Sequence, residues 1–433
     1  MKKTATILWA LLLSLFVSLP LYAEGILAFP GAEGFGRFAT GGRGGTIYHV
    51  TNLNDSGEGS LRDAVSKPGR IIVFDVSGVI KLKSALVFSS NLTVLGQTAP
   101  GEGIQVYGER VSFSGANNII VRYMRFRMGV SGTSGKDACG VANGKNMIFD
   151  HLSALWGRDE CFSISWDKKG TVPTDITIQN SIIGQGLQSH SCGGLIQTEG
   201  GVTLYRNLYI ENKTRNPKVK GLNQFVNNVV YNWGGGGCYI MGDSEGPSWA
   251  HIENNYFMKG PWKGTAAFTR GNDNFKYYAA GNYYDTDADG TVNGHEMTDA
   301  EYDASGSYRI SDLETFDGVS RPKVHPEIAN MMSAEEALMW IIDSVGPCLP
   351  VRDEVDQYLI DELKSFTSRS VSFPNRPAHN FAISVNSFLF SDLEPMRPLE
   401  PANTGKPMVT IGCGLVACRL FIIFLNYSTL GKC

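Results

Sequence analysis

The chain has 433 residues, 42 % of them apolar, which excludes a disordered or fibrous polymer and leaves material for a large core. Lys and Arg total 38 against 42 Asp and Glu, so the net charge is -4 and no global basic field exists to hold nucleic acid or an anionic membrane. An anionic substrate would have to be met by a local basic or metal-bearing site, and the 50 glycines in a chain only 18 % charged point to many turns rather than a helical bundle.

At the start, Lys2 and Lys3 precede an apolar run from Ala5 to about Leu19, followed by Pro20 and a small-residue site ending at Ala23. This is the order of a secretory signal peptide, so residues 1–23 are expected to be removed. The mature chain is then expected in the periplasm or outside the cell, without stable membrane insertion. Eight cysteines, at 139, 161, 192, 238, 348, 413, 418 and 433, would enter an oxidising compartment. Cys139 with Cys161 is a candidate bridge, although spacing does not fix the pairing. Zinc at Cys413 and Cys418 is disfavoured because no His follows to complete a site.

Glycines cluster from Gly31 to Gly45 without the pattern of a phosphate-binding loop, and read as turns at the start of the first coil. Ser60 to Val65 reads as a short helix capping that coil. From about residue 70, short β-like runs recur between Gly, Asn and Ser, among them IIVFDV at 71, NMIFDHLSA at 146, DITIQNSII at 175 and WAHIENNYFM at 249. Superposing them aligns Tyr123, His151, Asn180, Asn207, Asn228, Asn255 and Asn282 at intervals of 21 to 29 residues, a solenoid period. The expected fold is all-β, a right-handed parallel β-helix with short flanking helices over 24–366. Stacked coils pair their strands and continue one apolar core. An Asn repeated once per coil can bond to the Asn of the next coil and tolerate a left-handed backbone. The competing antiparallel sandwich would show strands every 8 to 12 residues.

Beyond Tyr284, the segment 285–296 matches the spacing of a calcium loop, with Asp285, Asp287, Asp289, Gly290 and Glu296, but a strand-like run precedes it and a plain acidic turn is the competing reading. Ser333 and Glu336 form a capping box before one helix, and Asp353 to Phe366 reads as another, both lying against the outside or the C-terminal end of the solenoid. Residues 367–433 lack the coil pattern and form an atypical tail of unknown role. Its apolar part, Ile411 to Leu425, is short and interrupted by Arg419, which argues against a membrane span.

Three clusters carry chemistry. Asp137 lies in GKDACGV; FDHLSALWGRDECFSIS puts Asp150 and His151 on a strand and Asp159 and Glu160 at the next bend; NKTRNPKVKG holds Arg215, Lys218 and Lys220. Each acid alone also reads as a turn cap. Brought together on successive coils, like charges call for a cation or a proton, and hard oxygen ligands on acidic turns suit Ca2+. Trp156 and Trp166 are candidates for a sugar groove, with ordinary packing as the alternative. His151, in the stacking column, reads as structural, and His190 and His251 carry no spacing argument.

With FDHLSALWGRDE and RNPKVKG in view, residues 29 to about 365 resemble the pectate lyases of polysaccharide lyase family 1, especially secreted bacterial members. The resemblance implies Ca2+-dependent β-elimination of α-1,4-polygalacturonate or pectin by a monomer, leaving a 4,5-unsaturated uronate. It implies Asp137 and Asp159 as calcium ligands and Asp150 with His151 as the family's DH pair. Arg215, Pro217 and Lys220 match its R-x-P-x-x-R motif. Arg215 is then the base, Lys220 with Lys218 the substrate contacts, and a lysine the alternative base. The chain departs from the family at Lys220, where the motif has Arg, and at Ser163, where many relatives place a further calcium-binding Asp; Glu160 is the expected substitute. A polygalacturonase-type hydrolase and a non-catalytic carbohydrate-binding β-helix are the competing functions.

Overall fold

The computed structural model describes residues 25–187, 189–302, 308–310 and 325–366. The signal-like segment and the tail from 367 therefore lie outside the described residues. Among the described residues, each complete coil contributes one strand to each of three sheets, which hold 11, 10 and 8 strands and stack as a right-handed parallel β-helix. In one turn of the solenoid, Lys145–Asp150 belongs to the 11-stranded sheet, Ser153–Leu155 to the 10-stranded sheet and Phe162–Ser165 to the 8-stranded sheet.

Register follows the apolar alternation. Met147 and Phe149 pair with Ile119 and Val121 on one side and with Ile176 and Ile178 on the other, and all six are buried in one core. A one-residue slip would turn these side chains outward, so burial fixes the pairing. Aromatic rings bridge coils within that core, with Phe113 at 4.7 Å from Phe149 and Phe149 at 5.0 Å from Phe162. Leu61–Val65 is the expected cap: Ser60 accepts from the Asp63 amide, and Leu61, Ala64 and Val65 are buried in the first coil's core.

The glycine-rich segment does more than turn. It runs along the outer face of the 11-stranded sheet, where Gly36 N donates to Thr177 Oγ1 at 2.8 Å and Phe35 N to Thr203 Oγ1 at 3.1 Å. A Cβ on Gly36 would lie 2.1 Å from the Met147 carbonyl, so backbone meets backbone there and glycine is required.

The stacking column divides in two. Asn228 N and Nδ2 both donate to Asn255 Oδ1, and Asn255 repeats this to Asn282. One coil earlier Asn207 donates to Asn228, but its own Oδ1 receives Ser181 N rather than a group of Asn180. Tyr123, His151 and Asn180 belong to the adjacent left-handed column, with Arg206, Asn227 and Asn254. Laddering and left-handed geometry are thus performed by neighbouring residues rather than by one Asn.

The helices Ala334–Ser344 and Glu354–Ser365 cover the outer face of the 10-stranded sheet. Leu338, Ile341, Leu359 and Leu363 pack there on Ile182, Leu208 and Val229. The Ser333–Glu336 capping box is formed. Arg127 pairs with Asp353 at 2.6 Å and Asp356 at 2.8 Å, tying the last helix to the coils. Trp156 is fully buried in this seam and donates to Gln185 at 3.0 Å, so it lines no sugar groove. The acidic loop lies between the strands Tyr283–Asp285 and His295–Glu296, which pair antiparallel, and Asn293 bridges Asp287 and Asp289. A strand stands on each side of it, where an EF-hand has helices. Cys139 and Cys161 are free buried thiols whose Sγ atoms lie against backbone carbonyls, not a bridge, and Cys413 and Cys418 lie outside the described residues. Among the described residues no helix is long and apolar enough to cross a membrane.

Candidate functional site

The 8-stranded sheet places the chemistry. Cys139–Val141, Phe162–Ser165, Leu195–Gln197 and Lys218–Lys220 are consecutive strands of it. The bends entering these strands carry Asp137, then Asp159 and Glu160, then His190 and Cys192, then Arg215. Backbone pairing extends into the bends: Ala138 N donates to Glu160 O at 2.9 Å, and Glu160, Cys192 and Thr214 form successive parallel bridges. Adjacent strands stand about 4.8 Å apart. Residues separated by more than twenty positions in the chain therefore become neighbours.

Asp137, Asp159 and Glu160 each offer a carboxylate oxygen within 4.8 Å of the others. Burial, reinforced by Asp137 and Asp159, pushes Glu160 up to about 8 against the pull of Arg215. Burial also raises Asp137, against hydrogen bonds from Glu160 and Ser163. Such a cluster is relieved by a cation, and its hard oxygen donors at an open bend fit Ca2+, with backbone and water left to complete the coordination. Ser163 stands beside Asp137 and also accepts from Leu195 N at 3.2 Å, so this position faces the cluster with a hydroxyl.

Arg215 Nη1 contacts Glu160 Oε1. Burial works against its charge, but Cys192, Glu160 and Asp159 outweigh that and hold the guanidinium above its ordinary value. The residue has a left-handed backbone, φ 57°, which costs about 1–2 kcal/mol outside glycine. Its carbonyl accepts from Gly194 N at 2.8 Å, and a Cβ on Gly193 would come within 2.6 Å of that carbonyl. The glycine pair thus lets the preceding coil approach and hold Arg215.

Lys218 and Lys220 point outward from one strand while Val219 enters the core. Lys218 reaches Asp243 of the next coil, its Nζ 3.4 Å from Oδ2, and Arg270 approaches the same carboxylate at 3.4 Å. Arg270 extends the basic face beyond what the motif suggested. Trp166 is partly exposed and donates to Lys169 O. Asp150 and His151 are not brought to the acids; they lie at the other end of the coil, at the turn leaving the 11-stranded sheet. Asp150 accepts from Arg122, Gln179 and Asn180, and His151 stacks on Tyr123 at 4.6 Å, a structural network. His190, without spacing support in the sequence, contacts Asp159 through Nδ1.

No profile of a known protein family matches the chain. It is 55 % identical over 350 residues to the probable pectate lyase C of Aspergillus flavus, covering 81 % of this chain and 80 % of that one. The probable pectate lyase C of Emericella nidulans is 57 % identical over 341 residues, covering 79 % and 76 %. Among solved structures, the thermostable pectate lyase PL 47 superposes with a TM-score of 0.51 at 14 % identity, covering 76 % of this chain and 99 % of that one, a likeness of fold. These two relatives, more than half identical to the chain over the aligned residues, are fungal, which corrects the bacterial emphasis of the sequence resemblance. On its sequence similarity and its β-helix alike, the chain belongs to the pectate lyase family.

Proposed function

We propose that the protein is an exported pectate lyase that cleaves α-1,4-linked polygalacturonate by Ca2+-dependent β-elimination, leaving 4,5-unsaturated oligogalacturonates. The observation that supports this most is the convergence of Asp137, Asp159 and Glu160 beside Arg215 on consecutive coils. Ca2+ held by these acids supplies charge neutralisation for the uronate carboxylate next to C5, where negative charge accumulates. Lys218 and Lys220 provide positive charge on the adjoining strand for successive uronates.

Arg215 takes the C5 proton. The electron pair left on C5 forms the C4–C5 double bond, the C4–O bond breaks, and the departing oxygen gains a proton from water. Arginine is a demanding base because its free pKa lies above 12. The contact with Glu160 favours the protonated form, together with Cys192 and Asp159.

The spacing of the acids disfavours an inverting hydrolase. That reaction needs carboxyl groups roughly 6.5–9.5 Å apart to admit a water, whereas these offer oxygens within 4.8 Å. The test is incubation with polygalacturonate while following the short-wavelength ultraviolet absorbance of the conjugated product. A lyase generates it in step with new chain ends, a hydrolase generates ends without it, and a binding protein generates neither.

A further inference from the structure

Beside the acid trio lies a second group of donors with different chemistry. Asp159, His190 and Cys192 each present one ligand atom, a carboxylate oxygen, an imidazole nitrogen and a thiol sulfur, all within 4.8 Å of one another. Cys192 differs from the other buried cysteines of these coils. Cys139, Cys161 and Cys238 belong to the central apolar core, whereas Cys192 is fully buried yet stands outside that cluster, on the bend beside Asp159. Its amide donates to the Asp159 carbonyl at 3.3 Å, which fixes one ligand relative to the other. The His190 and Asp159 side chains, 50 % and 28 % exposed, leave the group open to solvent above a buried sulfur.

We propose that Asp159, His190 and Cys192 form a second cation site, for a borderline-soft divalent ion of the zinc class, which shares Asp159 with the acid trio and so competes with a hard ion bound there. The donor types make the distinction. Sulfur and imidazole select zinc-class ions, while Ca2+ takes oxygen alone. Zinc-class bonds run about 2.0–2.3 Å, so donors around one ion stand roughly 3–4 Å apart, which asks only a small rearrangement of the exposed His190 and Asp159 side chains, now in direct contact with each other. A water completes the fourth position. Binding displaces the Cys192 thiol proton to solvent, leaving a thiolate on the metal. Asp159 cannot serve both ions fully, so occupancy of one site weakens the other.

Co2+ is the probe, titrated into the purified, reduced protein without polysaccharide, so the outcome does not depend on the lyase reading. The expected result is a thiolate-to-cobalt charge-transfer band that is lost in Cys192→Ser. In His190→Ala, a change at an exposed residue that leaves the core untouched, Co2+ binding should weaken at least about tenfold. Added Ca2+ should raise the Co2+ concentration needed for half-saturation. Absence of the band, its persistence in Cys192→Ser, or unchanged Co2+ affinity in His190→Ala would overturn the site. Indifference to Ca2+ would overturn the sharing of Asp159.

Discussion

Arg215 is fixed by its backbone through Gly194 and by its side chain through Glu160, so its replacement should act on turnover more than on folding. Arg215→Lys keeps the charge and loses the planar fork, and Arg215→Ala loses both. Each should lower kcat on polygalacturonate by roughly 10²-fold or more, with KM changed much less. Lys220→Ala should instead raise KM with a smaller effect on kcat; near-normal kcat in Arg215→Ala would defeat this division of roles. Ser163 gives a gain-of-function test. Ser163→Asp places a carboxylate beside Asp137, and the Ca2+ concentration for half-maximal activity should fall by a factor on the order of 10, since added ligand charge tightens such sites. No change would mean that residue 163 does not face the cation. The acids and Arg215 could be read in the sequence because each sits in a distinctive local phrase. His190 could not, because its partner Asp159 lies on the previous coil and only stacking joins them. Trp156 misled for the opposite reason: its neighbours in sequence are site residues, but the turn carries its ring under the flanking helices.

The coil strands were legible from their period, and the Asn column nearly so. Two adjacent columns look like one in the sequence, because both tolerate Asn and only the hydrogen bonds separate the ladder residue Asn207 from its left-handed neighbour Arg206. The ladder predicts a stability effect. Asn255→Ala removes the acceptor for Asn228 N and Nδ2 and the donor to Asn282, inside a fully buried stack. Stranding those groups should cost about 1–3 kcal/mol, read as a lowered melting temperature with Ca2+ affinity little altered. A melting temperature equal to that of the unaltered protein would show that the stack is incidental. The glycine-rich segment reads in the sequence as turns at the start of the first coil and not as a sheet cover, since its contacts at Thr177 and Thr203 are more than 140 residues away in sequence.

For the whole chain, acid should be destabilising through His325, which burial, with help from His251, lowers from 6.5 to about 4. Between those values the unfolded chain binds a proton that the folded chain does not, so stability is present above the unfolded value and is lost as pH falls, by on the order of 3 kcal/mol in full. The melting temperature should drop between pH 7 and 4 less steeply in His325→Gln than in the parent; parallel curves would exclude this source. The coil pattern in the sequence is absent from residues 367–433, so a chain stopping at Phe366 should keep the β-rich spectrum and a cooperative melt, and loss of soluble folded protein would contradict that. The apolar core is built from stacked side chains of the coils and the acid trio is not part of it, so calcium at the trio is expected to serve catalysis rather than folding. The most direct measurement is therefore the appearance of unsaturated product from polygalacturonate before calcium removal with EGTA, after it, and after Ca2+ is restored, with the far-ultraviolet spectrum recorded alongside. The account predicts product formation that stops and returns while the spectrum stays nearly constant; full activity after verified calcium removal would contradict it.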